Sequence, residues 1–354
     1  MDYIAFADII DFTKMVKGMI NMKRKVSFNL FRSLMESVII VKECIIENKR
    51  ASITLNNGEI ITINLVIAET GYPKQILEII SGYSSPLYCV ILAPYISEQT
   101  SNICRNSGFG YLDLAGNCFI ANGYLYIEIK GNKNEYVSKR SLKSIYERSS
   151  AVSSRILRVL MQDVTKVWKM QELATAARCS IGQVSKVKDF LLNQAYIEQN
   201  AQGIRIINPK AIMKDWAFVY SKGDEEMIAC YSLDSVPVLE SRIAEMNKNI
   251  GTDCALTGFS GGARYQPVVR YQKVHAYVNE EDLEKVFEYL QLKEVDSGAN
   301  VILMIRYDDC IDFDSREVKE NMIVSPVQAY LDLMKLKGRG EEMAEAILER
   351  NICG

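Results

Sequence analysis

Three successive parts are expected of this 354-residue chain: an α/β region, a central helix-turn-helix with a β wing, and a C-terminal α+β region. Two β-branched runs, Ala51 to Leu55 and Ile60 to Ile67, flank Asn56-Asn57-Gly58 and predict a hairpin. Between Val152 and Asn208, three helical apolar patterns precede two short strand patterns around Asn200-Ala201-Gln202-Gly203. From about Trp216, strand runs and helical runs alternate again. The boundaries read as 1–131, a basic connection at 132–151, 152–214 and 215–354.

In the first part, helices are expected ahead of Ala51, covering one face of a sheet. Pro73 opens a helix to about Ser81, since its missing N–H costs nothing in a first turn. Tyr88 to Leu92 is a short apolar strand, and Ser97 can cap a helix running through Cys104 and Arg105. Phe109 to Leu114 and Tyr124 to Lys130 complete the strands. In the third part, Val274 to Val278 and Ala299 to Arg306 read as strands, and Leu283 to Leu290, Val327 to Lys335 and Glu341 to Arg350 as helices.

Charge is distributed unevenly. From Lys130 to Lys214 there are sixteen Lys and Arg against six Asp and Glu, leaving twenty-six against thirty-eight elsewhere. A basic middle in an acidic chain is the footprint of a part that meets a polyanion. The opening Met1-Asp2-Tyr3-Ile4 lacks the basic segment of a secretory signal. No apolar run approaches the roughly 18–20 residues that cross a bilayer, and Val38 to Val41 is stopped by Lys42 and Glu43. Nine cysteines without a C-x-x-C pair suit reduced, buried thiols. One histidine, His275, makes a His-rich metal site or a His-based triad a poor expectation. A cytoplasmic protein with no membrane partner, no cofactor, no metal and no catalytic residue is expected.

The central segment is the most informative. Ile156, Leu157, Leu160 and Met161 share one helical face, and Met170, Leu173, Ala174 and Ala177 form a second short helix. Ser180 can cap a third helix whose core face is Val184, Val187, Phe190 and Leu191. Two helices joined by a turn of three or four residues are helix-turn-helix geometry, and the hairpin that follows is the wing. Gln183, Ser185, Lys186 and Lys188 then lie at the start and exposed side of the recognition helix. Gln pairs with adenine, while Lys reads guanine or phosphate. With Ser180, and with Arg178 and Arg205 set for phosphate contacts, these are the candidate residues for double-stranded DNA. A three-helix domain with a hairpin that binds protein instead shows the same pattern, but the local charge favours DNA.

Two enzymatic readings compete. Asp113 followed by Glu128-Ile129-Lys130 has the order of a metal-dependent nuclease, in which two carboxylates hold a divalent cation and the lysine helps activate water. The plainer reading is a strand whose solvent face alternates Glu128 and Lys130 with Ile127 and Ile129. Gly258-Phe259-Ser260-Gly261-Gly262 is reminiscent of the Gly-Ser turn of nucleotidyltransferases, which also need paired carboxylates on a strand. No Asp or Glu occurs between Gly258 and Asn279, and Asp308-Asp309 and Asp312-Phe313-Asp314 lie far downstream. A tight connection or ligand cradle is preferred there.

Longer phrases carry a resemblance. Leu92-Ala93-Pro94-Tyr95-Ile96-Ser97 and Gly110-Tyr111-Leu112-Asp113-Leu114-Ala115-Gly116-Asn117 are similar to those of a family of bacterial transcriptional regulators grouped with the AbiEi antitoxins of type IV toxin–antitoxin systems. Ala255-Leu256-Thr257-Gly258, Val324 to Leu333 and Gly338-Arg339-Gly340-Glu341-Glu342 agree, so the resemblance spans about residue 50 to the end. It implies a DNA-binding regulator that represses its own operon and opposes a nucleotidyltransferase-like toxin, with a homodimer as an open reading. In the better-known antitoxin layout the winged helix is N-terminal, whereas here an α/β domain precedes it.

The resemblance also gives the first part the look of a degenerate restriction-endonuclease fold and leaves a nucleotidyltransferase-like reading open for the third. In the nuclease fold the E-x-K strand precedes a helix, which points to Leu65-Val66-Ile67-Ala68, and those positions are apolar. Glu69, the next acid, is followed by Thr70-Gly71 and not by a lysine. On that reading the nuclease site is lost, and Asp113 with Gly116 and Asn117 shapes a turn or contacts a partner, the turn being preferred because Gly116 and Asn117 suit one. Three functions therefore remain: a sequence-specific regulator with an antitoxin-like role, a metal-dependent nuclease using Asp113, Glu128 and Lys130, and a ligand-gated metabolic repressor.

Overall fold

A computed structural model describes residues 23–123, 125–134, 145–147, 150–223 and 226–354. Most of the expected basic connection, and Tyr124, lie outside the described residues. The chain is a mixed α/β protein that divides into two compact units, Met1–Ser141 and Leu142–Gly354.

The first unit is a seven-stranded sheet whose strands follow the chain order. The helix α1 (Lys23–Glu36) leads into β1 (Val41–Glu47), β2 (Arg50–Leu55) and β3 (Ile60–Ile67), an antiparallel meander. The expected Asn-Gly hairpin joins β2 to β3, with Gly58 at φ 88°. β1 occupies part of the stretch expected to be helical. Its turn into β2 uses Asn48 and Lys49, both at positive φ, the backbone form that two-residue hairpins need. Because that turn has no glycine, the strand was not evident from local sequence.

From β3 the sheet becomes parallel through β4 (Cys89–Ala93) and β5 (Gly110–Asp113). The crossovers are α2 (Pro73–Gly82) and α3 (Glu98–Asn106), the latter capped by Ser97, whose side chain accepts from Thr100 N at 3.1 Å. β6 (Cys118–Asn122) and β7 (Leu125–Ile129) return antiparallel. Every residue of β4 is buried, as a central strand covered on both faces must be. Val90 and Leu92 join Phe31 and Met35 of α1, while Cys89, Ile91 and Ala93 pack with Ile76 of α2 and Cys104 of α3.

The second unit begins with α4 (Ala151–Gln162), α5 (Met170–Ala176), α6 (Ile181–Asn193), the two-stranded β8 (Ile197–Gln199) and β9 (Ile204–Ile206), and α7 (Pro209–Tyr220). α7 runs without a break past positions 214 and 215, where the domain boundary was expected. Asn208 caps it through Ala211 N at 3.1 Å, and Pro209 takes its first turn.

A second seven-stranded sheet follows, in spatial order β13-β10-β14-β12-β11-β16-β15. Its longer strands are β10 (Met227–Tyr231), β12 (Val274–Val278) and β14 (Val301–Ile305). The shorter ones are β11 (Ala255–Leu256), β13 (Lys293–Glu294), β15 (Arg316–Val318) and β16 (Asn321–Ile323). One face packs on α8 (Val236–Ile250) and α10 (Leu283–Leu290) through Leu239, Ile243, Val286 and Leu290. The opposite face carries α9 (Gly258–Tyr265), α11 (Pro326–Leu333) and α12 (Arg339–Ile347). Period-two alternation on β12 sends Val274, Ala276 and Val278 to the first face, leaving His275 and Tyr277 for the second.

The Gly-rich segment is a helix and not a tight turn, which corrects the expectation. Three glycines disfavour a helix intrinsically, and close packing offsets that cost. A Cβ on Gly261 would lie 2.6 Å from the Leu256 carbonyl oxygen, and one on Gly258, which sits at φ 50°, would lie 3.0 Å from the His275 ring. Ser260 Oγ accepts from the backbone N–H of His275 at 3.2 Å.

The four-helix-and-hairpin segment and this face of the sheet share one apolar core. At its centre lies a desolvated polar network. Arg158 on α4 is 2% exposed, Gln328 on α11 is 0% and Asp332 is 3%. Gln328 joins the charges: its Oε1 accepts from Arg158 Nη2, and its Nε2 donates to Asp332 Oδ1 at 2.8 Å. Asp332 also accepts from the hydroxyls of Thr257, Tyr220 and Tyr277, the latter two at 2.8 and 3.1 Å. Arg158 is further bonded to Ser154 at 3.2 Å and sits 5.4 Å from the Trp216 ring.

Removing one partner of such a network leaves an uncompensated buried charge, so Asp332→Ala is predicted to cost about 3–5 kcal/mol. Both tryptophans of the chain, Trp168 and Trp216, lie in this unit, so tryptophan fluorescence during urea unfolding reads it directly. An Asp332→Ala midpoint equal to wild type would refute the role assigned to the network. Burial holds the His275 imidazole down at about 4, with the nearby Lys273 charge acting in the same direction. Its ordinary value is 6.5, so between pH 6.5 and about 4 the unfolded chain binds a proton that the folded one does not. Stability from this group is therefore present above pH 6.5 and lost as pH falls to about 4, by about 3 kcal/mol at most. Comparing wild type with His275→Gln across that window isolates the term, and parallel curves would refute it.

Candidate nucleic-acid interface

Ile156, Leu157 and Leu160 of α4, Leu173 and Ala174 of α5, and Val184, Val187 and Leu191 of α6 close a small core. The hairpin adds Ile197, Ile204 and Ile206, and Trp168 bridges to it through paired hydrogen bonds with Ile204 at 2.8 and 2.9 Å. The side of α6 turned away from this core exposes Ile181, Lys186 and Asp189, with Ser185 partly covered.

The α5–α6 turn has a defined chemistry. Arg178 has φ 50°, its N–H bonds the Thr175 carbonyl, and the N–H of Cys179 bonds that of Ala174. This pair of bonds is the glycine-type helix stop, here made by an arginine. Its side chain is exposed, and no ion-pair partner is found among the described residues. Ser180 then caps α6, its Oγ accepting from Gln183 N at 3.3 Å. Gln183 Oε1 accepts in return from Ser180 N at 3.0 Å and Ser180 Oγ at 3.1 Å. The Ser-x-x-Gln spacing is the signature of this reciprocal cap and was legible in the sequence.

The seven residues singled out for DNA thus divide by how they are engaged. Arg178 and Lys186 present exposed charges. Ser180 and Gln183 are bonded to each other as the helix cap. Ser185 Oγ lies 3.5 Å from Asp189 Oδ2, and Lys188 pairs with Asp189 at 2.9 Å. Arg205 on β9 pairs with Glu198 across the hairpin at 2.7 Å. Lys188 and Arg205 must exchange these pairs to meet a phosphate, whereas Arg178 and Lys186 need not. Sequence spacing carried no sign of the two pairings: one depends on side-chain direction on α6, the other on hairpin register.

In the first unit, Asp113 and Glu128 are both engaged by the fold. The buried Asp113 carboxylate accepts from the N–H groups of Ala115 and Asn117, each at 2.9 Å, and from Asn117 Nδ2 at 3.0 Å and Asn134 Nδ2 at 3.2 Å. Burial raises its pKa, and the asparagine donors oppose the rise. It closes the β5–β6 turn, where Gly116 takes φ 85°. Glu128 on β7 bonds Lys130 at 2.6 Å, the Tyr126 hydroxyl at 2.9 Å, and Arg105. Those donors, Lys130 foremost, hold its carboxyl down at about 2. No cluster of three His, Cys, Asp or Glu suited to a metal ion occurs among the described residues. No helix there is long and apolar enough to cross a membrane.

Residues 205–353 match the family model described as transcriptional regulator, AbiEi antitoxin, type IV toxin–antitoxin system. The matched stretch takes in β9, α7 and the whole C-terminal sheet, and it begins after α6. No curated protein and no solved structure matches the chain.

The cap geometry generates a prediction. Ser180→Ala is expected to destabilise the second unit by about 1 kcal/mol, and Gln183→Ala by less, because each frees an N–H at the start of α6. Tryptophan-monitored urea unfolding tests this, and an unchanged Ser180→Ala midpoint would contradict the capping role.

Proposed function

We propose that residues 151–207 form a winged helix-turn-helix that reads double-stranded DNA through α6, and that the chain is a sequence-specific regulator with an antitoxin-like C-terminal part. The observation that carries the DNA reading is the exposed, unpaired pair Arg178 and Lys186 at the turn and outer face of α6, inside the stretch 130–214 with its ten-charge basic excess. Arg178 supplies a phosphate contact, Lys186 reaches a groove edge or phosphate, and Arg205 on the wing joins them by releasing Glu198. The family match of residues 205–353 supports the regulatory reading. On this reading the chain binds upstream of its own reading frame, represses it, and opposes a nucleotidyltransferase-like toxin encoded beside it. A second copy of the chain fits a two-fold-symmetric operator.

The first unit is then a nuclease-like scaffold whose acidic residues serve structure. Its parallel β3–β4–β5 centre with crossover helices supports that assignment. The four hydrogen bonds to Asp113 favour a turn-forming role for it over a metal-binding one.

Arg178 allows a clean test. At φ 50° glycine is at least as well suited as arginine, so Arg178→Gly removes the charge without destabilising the turn. The double variant Arg178→Gly/Lys186→Ala should keep the wild-type unfolding midpoint. Fluorescence anisotropy with the duplex upstream of the gene should show at least about tenfold weaker binding, with a salt dependence flatter by one to two phosphate contacts. Wild-type affinity and salt slope in this variant would remove α6 from the interface. Absence of specific binding by the wild-type chain would overturn the regulatory reading itself.

A further inference from the structure

On the second face of the C-terminal sheet lies a cleft of about 930 Å³, within the size range of small-molecule sites. Strand register builds its floor. Ala229, Ile302 and His275 form one row across β10, β14 and β12, and Met227 and Met304 begin the next. Phe259, at the start of α9, adds an aromatic wall with its ring 5.9 Å from that of His275. The floor is therefore mostly apolar.

The rim is cationic. Arg270 and Lys273 border the cleft from the loop before β12, and Lys335, Lys337 and Arg339 from the α11–α12 connection. Lys335 is engaged, bonding the Gly223 carbonyl at 3.0 Å. The other four have no ion-pair partner among the described residues, and all four are exposed. Among the described residues, the one carboxylate lining the cleft is Asp332, which is committed to the buried network. α12 begins at Arg339 with no side-chain cap, and Glu341 and Glu342 in its first turn offset the partial positive charge of the free N–H groups there, so the four side-chain cations carry the charge of the rim. Four unpaired cations around one recess repel each other, a cost that a multiply charged anion relieves.

A second observation points to a ligand. His275 is 6% exposed, lines the floor, and its Nδ1 is buried with no hydrogen-bond partner of good geometry among the described residues. Buried polar atoms are nearly always satisfied, so this nitrogen is set to meet a donor or acceptor from something that enters the cleft.

We propose that this cleft binds a phosphate-bearing small molecule of nucleotide size, its phosphates held by Arg270, Lys273, Lys337 and Arg339 and its aromatic part laid against Phe259, Ile302 and Met304. The cationic rim selects the phosphates. The apolar floor selects the ring, with His275 Nδ1 available to one of its polar edges. A recessed floor suits a free nucleotide better than duplex DNA, whose backbone stays on the outside of a cleft. The inference is independent of DNA reading by α6, and the two are tested by different residues.

The test is isothermal titration of the full chain with ATP, with GTP and with inorganic pyrophosphate. Saturable one-site binding of at least one nucleotide is expected, tighter than pyrophosphate because the floor contributes. The double variant Arg270→Ala/Lys337→Ala should weaken it at least tenfold while keeping the unfolding midpoint. A control with two cations removed elsewhere, Lys210→Ala/Lys248→Ala, should bind as wild type. No saturable binding of either nucleotide, or an equal loss in the two double variants, overturns the proposal. Pyrophosphate binding as tightly as both nucleotides also overturns it, since the apolar floor would then play no part. DNA binding by α6 could fail with nucleotide binding intact, or the reverse.

Discussion

The second unit depends on one desolvated contact: the Arg158 guanidinium of α4 bonded to Gln328, which in turn bonds the Asp332 carboxylate of α11. Burying either charge alone is unfavourable by several kcal/mol, so each is tolerable only with the other in place. Gln328 is suited to the bridging position because its amide offers an acceptor to the cation and a donor to the anion. The hydroxyls of Tyr220, Tyr277 and Thr257 occupy the remaining acceptor sites on Asp332. As a result, α4, α7, α9, α11 and β12 meet at one point. The helical segment and the C-terminal sheet lie in the same compact unit and share one apolar core.

This arrangement places two surfaces on a common frame. α4 packs against the α5–α6 pair, and α11 carries Gln328 and Asp332 on one turn while its C-terminal end leads to the cationic rim at Lys335 and Lys337. Tyr277 of the network is the next outward-alternating residue after His275 on the cleft floor.

The first unit shows how acidic residues in a suggestive order are consumed by structure. Asp113 closes a turn with four donors, and Glu128 anchors Arg105, Tyr126 and Lys130 on the outer strand. The opposite pKa directions fit their settings: burial raises the Asp113 carboxyl, while three donors lower that of the more exposed Glu128. Order along the chain could not distinguish this from a cation site, because donor geometry decides the matter.

Local pattern determined a great deal. Period and caps marked α2, α3, α5, α6, α10, β12 and the Asn57-Gly58 hairpin, because these elements are specified by residues within a few positions of each other. The Ser180-x-x-Gln183 cap and the basic excess of the middle were likewise readable directly. Tertiary structure alone decided several other features. β1 forms through a glycine-free turn stabilised by its pairing with β2, and α9 keeps its glycines because a Cβ on Gly261 would meet the Leu256 carbonyl and one on Gly258 the His275 ring. The pairings of Lys188 and Arg205, the Arg158–Gln328–Asp332 network and the cationic cleft join residues that are distant or whose contact depends on side-chain direction. Such contacts are set by packing and desolvation at a point in space, and a linear pattern carries no record of them.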